Sequence, residues 1–223
     1  LADTDWHINR LYDGLCSGAS VVKANFHRYV IDANRGPDDA SLYPGQNTTG
    51  LVPLTDFDGN PIWKDGEEPD AADVASRLVQ WHRPYHAALE AEIVRVKAKH
   101  GFAILFDCHS IRSRIPFLFE GTLPDFNIGT NNGVTCDPAI ERAAVEACAA
   151  SPFTHVLNGR FKGGWTTRHY GKPEERIHAI QMEIAQVRYM DEHAPWTYRE
   201  DRAADTRALL AAFFDKLNQL APA

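Results

Sequence analysis

Three places in the 223-residue chain put ionisable side chains where an apolar strand ends or passes. Asp107 and His109 follow the run FAILF; Asp32, Asn34 and Arg35 follow YVI; Glu183 lies inside IHAIQMEIA. Open α/β sheets place their ligands at the carboxyl ends of strands, so these residues are the first candidates for chemistry. Polar residues at a strand exit are also ordinary turn formers. A glutamate inside an apolar strand is harder to explain that way, because an unpaired buried carboxylate is costly, and Glu183 is read as functional. Asp107 and His109 are two residues apart, so on an extended strand they share a face. A carboxylate so placed can orient an imidazole that ligates a metal. Catalytic zinc takes about three protein ligands and keeps one position open. His109 is one candidate and Asp3 or Asp5 another; the residues do not choose between the two aspartates, nor supply a third ligand. His7 is read as a surface or packing residue.

Elements must hold these residues in place. Residues 5–14 read as a short helix capped by Thr4 or Asp3, and 19–24 and 29–33 as β-branched strands. Residues 36–70 are dense in Pro, Gly, Asn and Asp, and loops of that length are usually binding loops or lids. From 71 to 100, Val74, Leu78, Trp81, Tyr85, Leu89 and Ile93 recur at helical spacing, with a kink or restart at Pro84. FAILFDCH is a continuous apolar run, the pattern of a strand buried on both faces. A helix over 140–150, a strand over 154–158, a basic Gly-rich loop over 159–171, a strand over 177–186 and a helix over 202–220 follow. His86 and His100 read as helix-surface residues; Trp63, Trp81 and Trp165 read as packing, with Trp165 also a candidate to line a pocket. The alternation of helix and strand predicts one α/β domain.

Composition narrows the class. Twenty-three Lys and Arg against 30 Asp and Glu leave a formal charge of −7, which argues against nucleic-acid or anionic-membrane binding. No apolar run reaches the ~20 residues that span a bilayer. Four scattered cysteines without a paired spacing favour reduced thiols and a cytoplasmic setting, with Cys108 and Cys148 in apolar, buried stretches.

Several longer segments carry a resemblance: TDWH, YVIDANRGPDDASLYPGQNTTGL, WHRPYHAAL, DCHSIRS, LPDFNIGTNNG, HVLNGRFKGGWTTRHYG and QMEIAQ. Together, over residues 1–196, they are similar to the N-formylglutamate amidohydrolase (deformylase) family, whose wider relatives are the zinc carboxypeptidases. The resemblance implies a three-layer α/β/α sandwich around a mixed sheet and zinc-dependent hydrolysis of N-formyl-L-glutamate late in histidine degradation. It implies His109 and Asp5 as zinc ligands, Glu183 as base or acid, and Asn34 and Arg35 as holders of a substrate carboxylate. The family's first zinc histidine sits in a Pro-His-(Ser/Ala)-Gly segment before TDW. The expectation is therefore a single domain over residues 1–223 whose amino-terminal segment would precede Leu1.

A substrate with two carboxylates calls for guanidinium forks. Arg35 would take one; Arg160, Lys162 and Arg168 in the basic loop are candidates for the other. Arg28, Arg112 and Arg168 are candidates to stabilise the developing oxyanion. The expected partner is a small dicarboxylate amide. Hydrolysis of a related N-acyl amino acid or carboxylate-bearing peptide, and non-catalytic binding of acidic amino-acid derivatives, are the competing readings.

Overall fold

The computed structural model describes residue 1 and residues 3–220. Its strands are β1 (Ala103–Ile111), β2 (Phe126–Gly129), β3 (His155–Leu157) and β4 (Ile177–Ala185), in the order β1-β4-β2-β3. β1 and β4 run parallel, β2 and β4 antiparallel, and β2 and β3 parallel, so the sheet is mixed. Helices α1 (Ile8–Tyr12), α4 (Pro138–Ala149) and α6 (Glu200–Leu217) cover one face. The other carries α3 (Arg83–His100) and α5 (Trp165–Tyr170), while α2 (Ala71–Arg77) packs through Val74 on Ile31, Leu51 and Val52. The result is the expected three-layer α/β/α sandwich. Among the described residues, no helix is long and apolar enough to cross a membrane.

Period-2 alternation sorts the sheet's side chains between these layers. Ile104 and Phe106 of β1, Phe126 and Ile128 of β2, and Ile180, Met182 and Ile184 of β4 pack against Leu11, Ile140, Leu210 and Phe213. Ala103 and Leu105 turn the other way, onto Leu89 and Ile93 of α3 and Tyr170 of α5. Continuing that second face towards the strand ends brings Asp107, His109, Gln181 and Glu183 out together.

Burial corrects the expectation for FAILFDCH. Ile104 to His109 are only half-buried, whereas Ala179 to Ala185 are fully buried. Among the described strands β4 has a neighbour on each side, and β1 pairs with β4 alone. β2, with four residues ending in glycine, and α5, within the basic loop, lie outside the expected elements.

The amino-terminal third departs most. Residues 19–24 and 29–33 form no strand. In the second segment the carbonyls find side-chain partners instead of a ladder. Arg77 donates to Tyr29 O and Val30 O at 3.3 and 2.9 Å, while Asp32 N reaches Leu51 O at 2.7 Å. The backbone is satisfied without a neighbouring strand, and β-branched composition alone does not reveal that. Helix α1 is shorter than expected and neither predicted residue caps it. Asp3 instead accepts from Tyr29 OH (2.8 Å) and Phe57 N (2.7 Å), and Thr4 Oγ1 bonds the His27 ring. Between α2 and α3, one π-helical turn (Leu78–His82) precedes Pro84, the restart expected there.

Candidate active site

Strand register sets the floor of the site. His109 lies opposite Glu183 on the paired strands β1 and β4, and Asp107 opposite Gln181. The Asp107–His109 pairing expected from spacing is present: Nε2 of the imidazole is 3.0 Å from Asp107 Oδ1, and Thr167 Oγ1 donates to Asp107 Oδ2 at 3.1 Å. With Nε2 held by a carboxylate, Nδ1 faces Asp5 Oδ1 at 3.6 Å. Asp5 is held in turn by the Ser110 N–H at 2.6 Å and by Arg28 at 3.5 Å. The structure thus chooses between the aspartates: Asp5 meets His109, while Asp3 is tied up with Tyr29, Phe57 and Arg112.

Opposing effects set the proton affinities. Burial alone would push the His109 imidazole down, but the Asp107 and Asp5 carboxylates overcome it and hold it well above its ordinary range. Asp5 also stays below the usual carboxylate range, because the cation of His109 and that of Arg28 outweigh its burial. Glu183 goes the opposite way. Burial pushes its carboxyl up to about 7, against the partly offsetting attraction of His109 and Arg28. Gln181 fixes this carboxyl: its Nε2 donates to Glu183 Oε2 (3.1 Å) while its Oε1 accepts from Gly164 N (2.7 Å). A carboxyl poised near neutrality in a cleft is the mark of a proton-transfer group.

The walls form a cleft enclosing about 620 Å³, its open mouth included. Arg28, Asn34 and Arg35, Arg160, Phe161 and Gly164 of the basic loop, and Tyr43, Asn47, Thr48 and Thr49 line it. The long segment 36–70 therefore contributes directly to the site. Asp32, itself buried, anchors Arg28, Asn34 and Arg35: its Oδ1 accepts from Asn34 N at 2.8 Å, and its Oδ2 sits 3.5 Å from Arg28 and 3.9 Å from Arg35. Asn34 Nδ2 stands 3.0 Å from His109 Nε2, and its Oδ1 accepts from Thr166 N at 2.9 Å. Two glycines permit this closeness. A Cβ on Gly164 would lie 2.3 Å from Asn34 Nδ2, and one on Gly129 would lie 2.4 Å from Gly163 N.

Of the remaining candidates, Arg160 borders the cleft and donates to Asn47 O at 2.9 Å. Arg168 braces the loop from outside, donating to Gly163 O at 2.9 Å and stacking over Tyr43. Lys162 contributes its backbone, with its N–H bonded to Tyr43 OH. Arg112 pairs with Asp58 at 2.8 Å and Asp3 at 3.8 Å, away from the cleft. Trp165 packs between His86 and His169 and does not border the cleft. His86 is buried, 8% exposed, contrary to its expected place on a helix surface. Gln181 was legible only as a polar neighbour of Glu183; its bridging role depends on the loop that folds over it.

For a metal, the donors fit as a pair. A carboxylate and an imidazole whose other nitrogen is held by a second carboxylate form an arrangement typical of a ligating histidine. Among the described residues, no three His, Cys, Asp or Glu side chains group to hold an ion.

An α/β/α sandwich that gathers a histidine–carboxylate pair and a buried glutamate at its strand ends has the arrangement of a hydrolase. This chain belongs to the N-formylglutamate amidohydrolase family, whose sequence profile matches residues 1–190. It is 51% identical over 219 residues to the N-formylglutamate deformylase of Pseudomonas aeruginosa and 52% to that of Pseudomonas putida. Each match covers 97% of this chain and 82% of the relative. The fold matches the crystal structure of N-formylglutamate amidohydrolase from Ralstonia eutropha JMP134 with a TM-score of 0.76 at 25% identity, over 95% of this chain and 80% of that one. A gene product of Agrobacterium tumefaciens shares the fold alone, with a TM-score of 0.62 at 18% identity, over 86% of this chain and 68% of that one.

Proposed function

We propose that this protein hydrolyses the formamide of N-formyl-L-glutamate to formate and L-glutamate, with a zinc ion held in part by Asp5 and His109, as a late step of histidine degradation. The observation that carries the reading is Glu183, buried yet poised near neutrality, directly across the strand pair from a histidine that faces Asp5. The deformylase names of relatives at half identity support the substrate.

An amide is a weak electrophile with a poor leaving group, so attack and departure both need help. Zinc, when bound, supplies Lewis-acid polarisation of the formyl carbonyl. Glu183 takes the proton of the attacking water and returns it to the departing nitrogen, work typically worth ~10²–10⁴-fold. Gln181 keeps that carboxyl oriented through the exchange. Arg28, at the cleft and already balanced by Asp5 and Asp32, faces the developing negative charge. Arg35 and Arg160, which both line the cleft, suit the two carboxylates of a glutamate.

The test is glutamate release from N-formyl-, N-acetyl- and N-succinyl-glutamate by the full-length protein supplied with zinc. Dominant kcat/KM for the formyl compound is expected. Preference for the acetyl compound would point to a hydrolase of other N-acyl amino acids. No turnover, with tight glutamate binding unchanged in Glu183→Gln, would mark a binder without chemistry.

A further inference from the structure

One set of buried side chains has no part in the chemistry above. His82, at the end of the π-helical turn, and His86, one turn into α3, are 3% and 8% exposed. Their rings lie 4.3 Å apart by centroid. His82 Nε2 stands 2.9 Å from Arg35 O, and His86 Nε2 stands 2.9 Å from Ala33 O. A carbonyl only accepts, so each Nε2 must carry the proton and donate. Tyr170 OH lies 3.0 Å from His86 Nδ1 and 3.4 Å from His86 O; with Nε2 protonated, the nearer Nδ1 is free to accept the hydroxyl proton. The two imidazoles therefore pin the carbonyls on either side of Asn34. They continue the row begun by Arg77 on Tyr29 O and Val30 O.

We infer that His82 and His86 are positioning residues that set the aim of Asn34 and Arg35 into the cleft by clipping the carbonyls of Ala33 and Arg35. The inference rests on the reading that those two side chains hold substrate. Asn34 has little latitude, wedged between His109 Nε2 and Thr166 N. Its neighbour Arg35 reaches the cleft while donating to Thr49 O and to Asn34 O. Rotating the 33–34 or 35–36 peptide would swing both side chains, and the histidines oppose that rotation at two points. Neither ring bonds His109, Glu183 or Asp5. The clip therefore acts chiefly on substrate affinity, and it reaches His109 only through Asn34.

The experiment compares His82→Leu and His86→Leu with the donor-retaining His82→Gln and His86→Gln in full-length, zinc-supplied protein. Each leucine variant should raise KM for N-formylglutamate by about tenfold or more with kcat within about threefold, and glutamine should restore most of the loss. In an Arg35→Met background the His82→Leu effect should shrink to less than about threefold, because His82 clips the carbonyl of that residue. An unchanged KM with activity falling only as the folded fraction falls would overturn the inference, as would full additivity of His82→Leu with Arg35→Met. A second readout is independent of turnover: nitrogen–proton spectra of the imidazoles should show Nε2–H on both rings, and Nδ1–H on either refutes the clip. Those spectra decide the matter if the leucine variants do not fold. A wild type that leaves N-formylglutamate intact refutes the proposed function instead, and the clip then stands or falls on the tautomers.

Discussion

Replacing Glu183 by glutamine separates what the fold pays from what the reaction needs. The side chain is 7% exposed on the strand buried along its length, with one donor, Gln181 Nε2, on its carboxyl. Its carboxyl is raised from the ordinary 4.5 to about 7 by burial, which outweighs His109 and Arg28. Because the folded state binds this proton more tightly than the unfolded chain, stability is highest below 4.5 and falls as pH rises through about 7. At pH 8 the charged carboxylate costs about 3 kcal/mol, and at pH 5 only about 1 kcal/mol. Glutamine removes that charge and still offers an oxygen to Gln181. In chelator-treated protein Glu183→Gln should therefore gain stability over wild type as pH rises. At pH 8 the charge relief corresponds to roughly 6–12 °C in Tm for a chain of this size, shrinking to a few degrees at pH 5. Scanning calorimetry at both pH values checks this, while kcat for formate release should fall by ~10²–10⁴-fold. A Tm difference identical at pH 5 and pH 8 would refute the argument that burial holds this carboxyl near neutrality.

Other substitutions probe the remaining parts. Arg35→Lys forfeits the bonds to Thr49 O and Asn34 O along with the fork, so KM should rise by roughly 10–100-fold; an ordinary KM counts against the carboxylate role. Asp5→Asn should lower zinc content measured by elemental analysis, whereas Asp3→Asn should leave it near wild type and cost ~1–3 kcal/mol, since Asp3 accepts from Tyr29 and Phe57 away from His109. Gly129→Ala forces its Cβ against the Gly163 backbone, so ~1–3 kcal/mol of stability should be lost, read by urea unfolding, with substrate affinity falling as the loop over Gln181 shifts.

How much of this was legible depended on whether the signal was local. α3, α4 and α6 follow their apolar periodicity closely because each buries one stripe against the sheet, and β4 keeps its alternation with both faces covered. β2 escaped because four residues ending in glycine carry too little pattern, and α5 because Gly-Gly before it and Gly171 after it read as loop. Residues 29–33 misled: Tyr, Val and Ile suggest a strand, yet Arg77 and His86, some fifty residues on, supply the partners a strand would have given. His86 sits at a helical spacing compatible with either surface or core, and only the arrival of Ala33 O and Tyr170 makes it buried.

Amino-acid order by itself determined which chemistries were present and, through the two-residue repeat of a strand, that Asp107 would share a face with His109. Tertiary structure alone decided that His109 stands across from Glu183, that Asp5 rather than Asp3 reaches the imidazole, and that Arg160 rather than Arg168 borders the cleft. The proton affinity of Glu183 belongs with these. Strand register and loop crossings bring together residues far apart in the chain, and the cost of a charge depends on how much water those neighbours exclude.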